Sequence, residues 1–267
     1  VGVAQNLVSD NAQTYIDQLA EDYETVRRRH ANRRTTPLMP IQDARKSKPQ
    51  IDWSAYTPPR PKFIGRREFR NYDLAQLAEY IDWTPFFQTW SLFGQYPAIL
   101  DDAVVGEQAR KVFADGQAML RKIVEGRWLT ASGVMAFYPA SQVNDDDIEV
   151  YEDESRQKVL FTWRGLRQQG VKREGVDNKC LADFIAPKDS GVVDYIGLFA
   201  VTAGLGVEKK EAQFMAANDD YSAIMFKGLA DRLAEAFAEA LHARVRRDLW
   251  GYAADEELDN SQLIAEA

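Results

Sequence analysis

One carboxylate stands at the head of an aromatic run. Asp82, between Ile81 and Trp83, begins a stretch that carries Trp83, Phe86, Phe87, Trp90, Phe93 and Tyr96 (YIDWTPFFQTWSLFGQYPAILDD, 80–102). A carboxylate among aromatic side chains is costly to bury unless something pairs with it. Aromatic rings offer stiff contact area on which a planar group can stack. Together they read as a ligand wall ending in one charged anchor. A second set lies further on. At 100° per residue Asp231 and Glu235 share one helix face, and His242 falls almost in line two turns later. That stripe is either a solvated helix surface or an acidic wall facing a cationic ligand or a partner domain.

Other chemistries lack their parts. GLG at 204–206 has neither GxGxxG nor a P-loop Lys-Ser/Thr, so it reads as a turn between strand and helix. Glu239 and His242 form a single Glu-x-x-His, and Arg27 stands where a second Glu would precede His30. A dimetal site needs two such pairs, and zinc needs three or four converging ligands. Asp145, Asp146 and Asp147 lack the alternation of a calcium loop and read as an acidic turn. No GxSxG elbow or Cys-His pair is present. Asp189-Ser190-Gly191 reads as a turn, and Cys180 as an inert buried thiol inside a strand pattern. No catalytic residue and no metal ligand are assigned.

Composition narrows the class. With 267 residues, 45% hydrophobic and 28% charged, the chain can bury a real core and reads as soluble and globular. A net charge of −8 argues against nucleic acid, whose phosphates need a basic field. The lone Cys cannot form an internal disulfide and fits a reducing compartment. No apolar run of membrane-spanning length and no signal peptide are seen, so the cytosol is the expected location. The start lacks an initiator Met, which reads as a piece of a longer chain.

These residues need elements to position them. Residues 9–31 read as a helix capped by Ser9 or Asp10, with Tyr15, Ile16, Leu19, Tyr23 and Val26 as its apolar stripe. Its basic end, Arg27 to Arg34, suits the helix dipole and reads as solvated. The prolines of 35–62 predict an extended arm, pinned by Ile51, Trp53 and Tyr56. Asp73 caps a short helix over 73–81, whose apolar face is Leu74, Leu77 and Ile81. Thr84 caps the next helix, with Pro85 at its first position. An amphipathic helix spans 103–126 and stops at Gly126. Strands are expected at 133–140, 147–151 and 158–163. More deeply buried strands are expected at 179–186 and 192–203. A long helix over about 218–248 carries the core stripe Met225 or Phe226, Leu229, Leu233, Phe237, Leu241, Val245 and Leu249. Another short helix starts at Asp255.

Several long blocks match a known family in order. QIDWSAYTPPRP (50–61), YIDWTPFFQTW (80–90), DDIEVYEDESR (146–156), CLADFIAPKDSGVVDYIGLFAVT (180–202) and DDYSAIMFKGLADRLAEAFAEALHARVR (219–246) resemble the activation domain of cobalamin-dependent methionine synthase. The resemblance implies an α+β fold, a twisted antiparallel sheet with surrounding helices. It implies residues 1–35 as a helical lead-in from a cobalamin domain and 36–267 as the activation domain, with its C-terminal part missing.

The resemblance also implies the function. The whole enzyme moves a methyl group from methyltetrahydrofolate to homocysteine through cobalamin, which a neighbouring domain holds. The activation domain binds S-adenosylmethionine, docks on the cobalamin domain and, with an electron from flavodoxin or a related reductase, rescues oxidised cob(II)alamin. The fragment alone is expected to have no turnover. By residue, Asp82 and Glu235 match positions at S-adenosylmethionine, and Asp231 an acidic position facing cobalamin. Glu266 aligns with a Glu just before the family's Arg-Pro-x-x-Gly-Tyr-Pro motif, which is absent here. The alternative is a docking module without its own small ligand.

Overall fold

The chain changes period at Arg127. That residue takes a left-handed backbone (φ 47°) and closes the helix Gly106–Gly126, one position beyond the glycine marked as the stop. It hands the chain to the strand Thr130–Val143. The computed structural model describes residues 2–31, 37–257 and 262. They fall into two compact units, 1–49 with 167–180 and 50–166 with 181–267.

The first unit holds three helices, α1 (Gly2–Leu7), α2 (Ala12–Ala31) and α3 (Ile41–Lys46). The helix expected over 9–31 starts only at Ala12, behind a turn in which Ser9 Oγ accepts the Asn11 N–H. Its stripe is drawn as expected, yet no residue of α2 is buried. Helix α3 corrects the extended reading of 35–62. Pro40 precedes it and Pro49 follows it, and a proline ahead of the first turn removes no helical hydrogen bond. Residues 37–39 pair with 169–171 through Met39 N–H to Gln169 O and Val171 N–H to Pro37 O, both 2.8 Å. Buried Asn178 locks this pairing. Its side-chain amide donates to Gln168 O and Gly170 O, and its own carbonyl accepts from Arg167. Residues 32–36 lie outside the described residues, and with them Arg33, Arg34 and the expected boundary at 35/36.

The second unit carries the sheet. Its helices are α4 (Leu74–Ala78), α5 (Thr84–Thr89), α6 (Gly106–Gly126), α7 (Val207–Ala216) and α8 (Asp220–Arg244). Its strands are β1 (Gly65–Tyr72), β2 (Thr130–Val143), β3 (Asp147–Tyr151), β4 (Val159–Arg164) and β5 (Asp194–Leu205). All pairings between them are antiparallel, so the α+β expectation holds. Strand β2 is the hub. Along one edge it pairs first with β1 and then with β3, which continues to β4; along the other it pairs with β5.

Alternation along β2 decides which face is covered. Ala131, Met135 and Phe137 are buried, and a Cβ built on Gly133 would lie 3.1 Å from the Phe237 ring. That face receives α8, whose Met225, Phe226, Leu229, Leu233, Phe237 and Leu241 are all nearly or wholly buried, as the stripe predicts. Helices α4, α5 and α6 pack on α8 in turn. Residues directly opposite each other in paired strands share a face, so Arg66, Glu68 and Arg70 of β1 join Ser132 and Val134 on the other face.

Several expectations change. Residues 179–186 form no strand but a short 3-10 turn, Leu181–Phe184, because Ala186 N–H is held by the Asp194 carboxylate rather than by a neighbouring strand. Strand β5 is half-exposed rather than deeply buried, since it is a sheet edge. Strand β1 was not anticipated: GRREFRNY is too charged to read as a strand, and pairing with β2 makes it one. The arm is not pinned by Ile51 and Tyr56, which are 38% and 53% exposed. Pro58 and Pro61 are buried instead, Pro59 O accepts the Trp250 indole N–H at 2.7 Å, and Arg60 grips Glu154. The acidic turn at 145–147 is a tight hairpin, with Asn144 and Asp145 at φ 53° and 66°, and Asp147 pairs with Arg164. Gly206, at φ 106°, turns β5 into α7, and Gly191 closes the turn after Ser190. Cys180 is buried, as expected, but outside any strand. Only Gln262 of 258–267 is described, so Glu266 and most of the helix expected from Asp255 lie outside the described residues.

Candidate functional site

Asp82 owes its place to two short helices. Asp73 Oδ1 accepts the Ala75 N–H (2.9 Å) and starts α4, whose Leu74 and Leu77 enter the core. The chain then turns at Tyr80 and Ile81, and Asp82 Oδ1 accepts the Thr84 N–H at 2.9 Å. The N-cap of α5 is therefore Trp83 rather than Thr84, and Asp82, one residue earlier, satisfies the first N–H of the helix, which has no partner within it. The Thr84 hydroxyl instead accepts the Tyr96 N–H at 3.2 Å. The second oxygen of Asp82 has no partner among the described residues, and the residue is half-buried.

The aromatic run divides by burial. Trp83, Phe86 and Phe87 are core. Trp83 meets Phe86 and Phe113 edge to face, with centroids 5.2 and 4.9 Å apart. Phe93 is 75% exposed, and Tyr96 lies against Phe87 and Phe113. Most of the expected ligand wall is therefore the packing that fixes Asp82.

Helix α8 presents the second set. Asp219 caps it, its carboxylate accepting the Ser222 N–H at 3.0 Å. Asp231 and Glu235 are exposed, with side chains 73% and 54% accessible. Arg232, only 11% accessible, bridges them: Nη2 lies 2.7 Å from Asp231 Oδ2 and 2.8 Å from Glu235 Oε2. His242 lies near the end of the helix and does not share this bridge.

The two sets run past each other. Tyr80 OH lies at Arg247 (3.4 Å), Thr89 lies against Gly228, and Trp90 lies 4.9 Å from Tyr221. Segment 80–90 is therefore antiparallel to α8, and Asp82, Asp231 and Glu235 all fall within the stretch bounded by those contacts. No hydrogen bond or ion pair joins Asp82 to Glu235 or Asp231 among the described residues. Two hollows lie elsewhere in the unit. One of about 560 Å³ is lined by Arg66, Arg70, Ser132 and Thr202 on the open sheet face, and one of about 490 Å³ by Asn71, Asp73, Arg127 and Thr130. Neither of these two is lined by Asp82, Asp231 or Glu235. Among the described residues no group of three or more His, Cys, Asp or Glu could hold a metal.

Sequence reasoning passed over Arg232. The acidic period of α8 was visible, but a cation between two carboxylates reads as ordinary helix surface until its burial is known. It also passed over the clamp at Glu154, which accepts both Arg60 Nε (2.7 Å) and Nη2 (2.8 Å) and the Tyr195 hydroxyl (2.9 Å). The Arg60 hydrogen bond, helped by Tyr195, draws the Glu154 carboxyl down to about 2. Buried Asp194 is raised instead by desolvation, although it accepts the Ala186 and Tyr195 N–H groups.

Residues 73–267 match the family model described as vitamin B12 dependent methionine synthase, activation domain. A solved structure titled "Crystal Structure of the MetH Reactivation Domain bound to AdoHcy" is 51% identical, with a TM-score of 0.81. The match covers 86% of this chain and 70% of that one.

Proposed function

The chain belongs to the activation-domain family of vitamin B12 dependent methionine synthase, and on that premise we propose that it binds S-adenosylmethionine for the reductive methylation of cobalamin. The observation that carries this reading is Asp82. One of its oxygens is fixed on the Thr84 N–H and the other is left open among the described residues, on a segment, 80–90, that runs along α8. The solved relative bound to AdoHcy supports it. AdoHcy lacks the transferable methyl but keeps the α-ammonium, the group that a carboxylate such as Asp82 pairs with through a charge-assisted bond.

In this reading the chain holds and orients, and supplies no acid or base. The cobalamin of a neighbouring domain contributes the cobalt that accepts the methyl group, after one electron from a flavodoxin or related reductase. Asp82 anchors the ammonium end of the methyl donor, so that the sulfonium methyl is presented in one geometry. Glu235 adds negative potential for the sulfonium, Asp231 faces the cobalamin domain, and Glu266 is assigned to ligand binding from the family resemblance. Residues 1–35 are the helical lead-in and 36–267 the activation domain proper. The site is cytosolic, consistent with the absence among the described residues of any helix long and apolar enough to cross a membrane.

Calorimetry with S-adenosylmethionine tests the reading, on this chain and on a version extended at the C-terminus. Saturable binding that Asp82→Asn weakens supports it. An extended chain that does not bind removes the ligand site and leaves a docking module, the reading that the exposure of Asp231 and Glu235 favours.

A further inference from the structure

Asp231 and Arg232 are adjacent on a helix, and adjacent side chains leave it about 100° apart, so they do not naturally face each other. Here they meet at 2.7 Å, and the same Nη2 also reaches Glu235 at 2.8 Å. The asymmetry is in the burial. The guanidinium side chain is almost entirely covered, whereas both carboxylates are mostly exposed. Exposed ion pairs usually hold no fixed geometry, because two long side chains must be ordered for a small screened gain. In this group the cation is already immobile, so it dictates where the carboxylates stand.

Stability does not account for the arrangement. Arg232 Nη1 is buried and makes no hydrogen bond among the described residues. A buried guanidinium with an unsatisfied donor is a poor stabiliser, and an apolar side chain of similar size generally does as well or better.

We propose that Arg232 is a positioning residue for the acidic pair of α8. It ties down Asp231 Oδ2 and Glu235 Oε2, so Oδ1 and Oε1 are the oxygens left for whatever docks there. It also sets the charge: two carboxylates and one guanidinium sum to −1. An approaching cation thus meets an ordered, partly neutralised pair rather than two independent carboxylates. This inference rests on the functional reading above, because it gives the pair a role in presenting the methyl donor to the cobalamin domain.

The test is a double-mutant cycle in the full-length enzyme that contains this domain. Its readouts are the rate of reductive reactivation with S-adenosylmethionine and a chemical reductant, and the S-adenosylmethionine dependence of that rate. Arg232→Leu is expected to leave the melting temperature at or above that of the parent while slowing reactivation about ten-fold. Arg232→Lys, which keeps the charge but loses the planar fork, should recover part of that rate. Combined with Glu235→Gln, Arg232→Leu should cost little beyond the single change, because the two act as one unit. Strictly additive losses, or parent-like reactivation in Arg232→Leu while Glu235→Gln is impaired, would overturn the positioning role and leave the site reading intact. Parent-like reactivation in Glu235→Gln, Asp231→Asn and Arg232→Leu alike would remove both. Should Arg232→Leu fail to fold, Arg232→Lys enters the cycle in its place and additivity decides in the same way.

Discussion

The carboxylate of Asp82 accepts the first N–H of helix α5, that of Thr84, on one oxygen at 2.9 Å, and its other oxygen is open among the described residues. One side chain thus serves the fold and, in the proposed function, the ligand. Substitutions can separate the two. Asp82→Asn keeps an acceptor for the Thr84 N–H and removes the charge, so the melting temperature should barely move. S-adenosylmethionine affinity should fall about 10- to 100-fold, the scale of one hydrogen bond to a charged group. Asp82→Ala should lose that affinity and also about 1 kcal/mol of stability with that hydrogen bond. Calorimetry paired with thermal unfolding checks both, and equal affinity in all three proteins would remove Asp82 from the site.

Close packing behind the anchor is the next point of control. A Cβ on Gly116 of α6 would lie 2.7 Å from Cζ of Phe86, a ring that is 1% exposed. Alanine favours a helix over glycine by about 1 kcal/mol, but forcing a core ring aside costs roughly 1–3 kcal/mol. Overpacking should win. Gly116→Ala is expected to lower the urea midpoint, and a raised midpoint would mean that Phe86 has room to move.

Acid should loosen the arm that ends at Pro61. The Glu154 carboxyl is drawn down to about 2 by its hydrogen bonds from Arg60 and then Tyr195. A depressed folded value means that the clamp's contribution is present above the ordinary value of 4.5 and is lost as pH falls toward 2. The pair is exposed, so the effect is local rather than global. NMR titration of the Glu154 carboxyl carbon should give a midpoint near 2 that rises toward 4.5 in Arg60→Ala. Trp250 reports the same release, since its indole N–H is held by Pro59 O.

Alkali should act at the start of α8. Burial, and then the 2.8 Å hydrogen bond to Asp115, raise the Tyr221 hydroxyl from 10.0 to about 12. The sign is opposite to that of Glu154. Stability from the neutral phenol is complete below pH 10 and disappears as pH climbs through about 12. Tyrosinate absorbance should show a late phase, to which Tyr195 and Tyr252 also contribute because burial raises them, that shrinks by one tyrosine in Tyr221→Phe. An unchanged late phase in that variant would assign it to another residue.

Much of the fold is legible in the sequence where a pattern repeats over many residues. The α8 stripe from Met225 to Leu241 lands in the core position by position, because period 3.6 leaves one face to bury, and Val245 and Leu249 follow it into the core from the π-helical turn Val245–Leu249. Asp73 caps where the sequence places it, since a cap needs only its own neighbours. Short or charged segments are another matter. Strand β1 has no apolar alternation to announce it, and 179–186 has a strand's composition but meets β2 only at its end, where Ala186 O accepts the Gln142 N–H.

The residue types at the site and the spacing of Asp231 and Glu235 were set by the sequence alone, as was the resemblance that identifies the family. Tertiary structure decided how those residues are used. It moved Trp83, Phe86 and Phe87 from ligand wall to core, set Asp82 on the first N–H of α5, and placed a covered Arg232 between two exposed carboxylates. The reason is physical. Periodicity reports which face of one element is apolar, whereas the role of a charged side chain depends on its burial and its partners. Those are fixed only when distant segments such as 80–90 and 221–247 lie against each other.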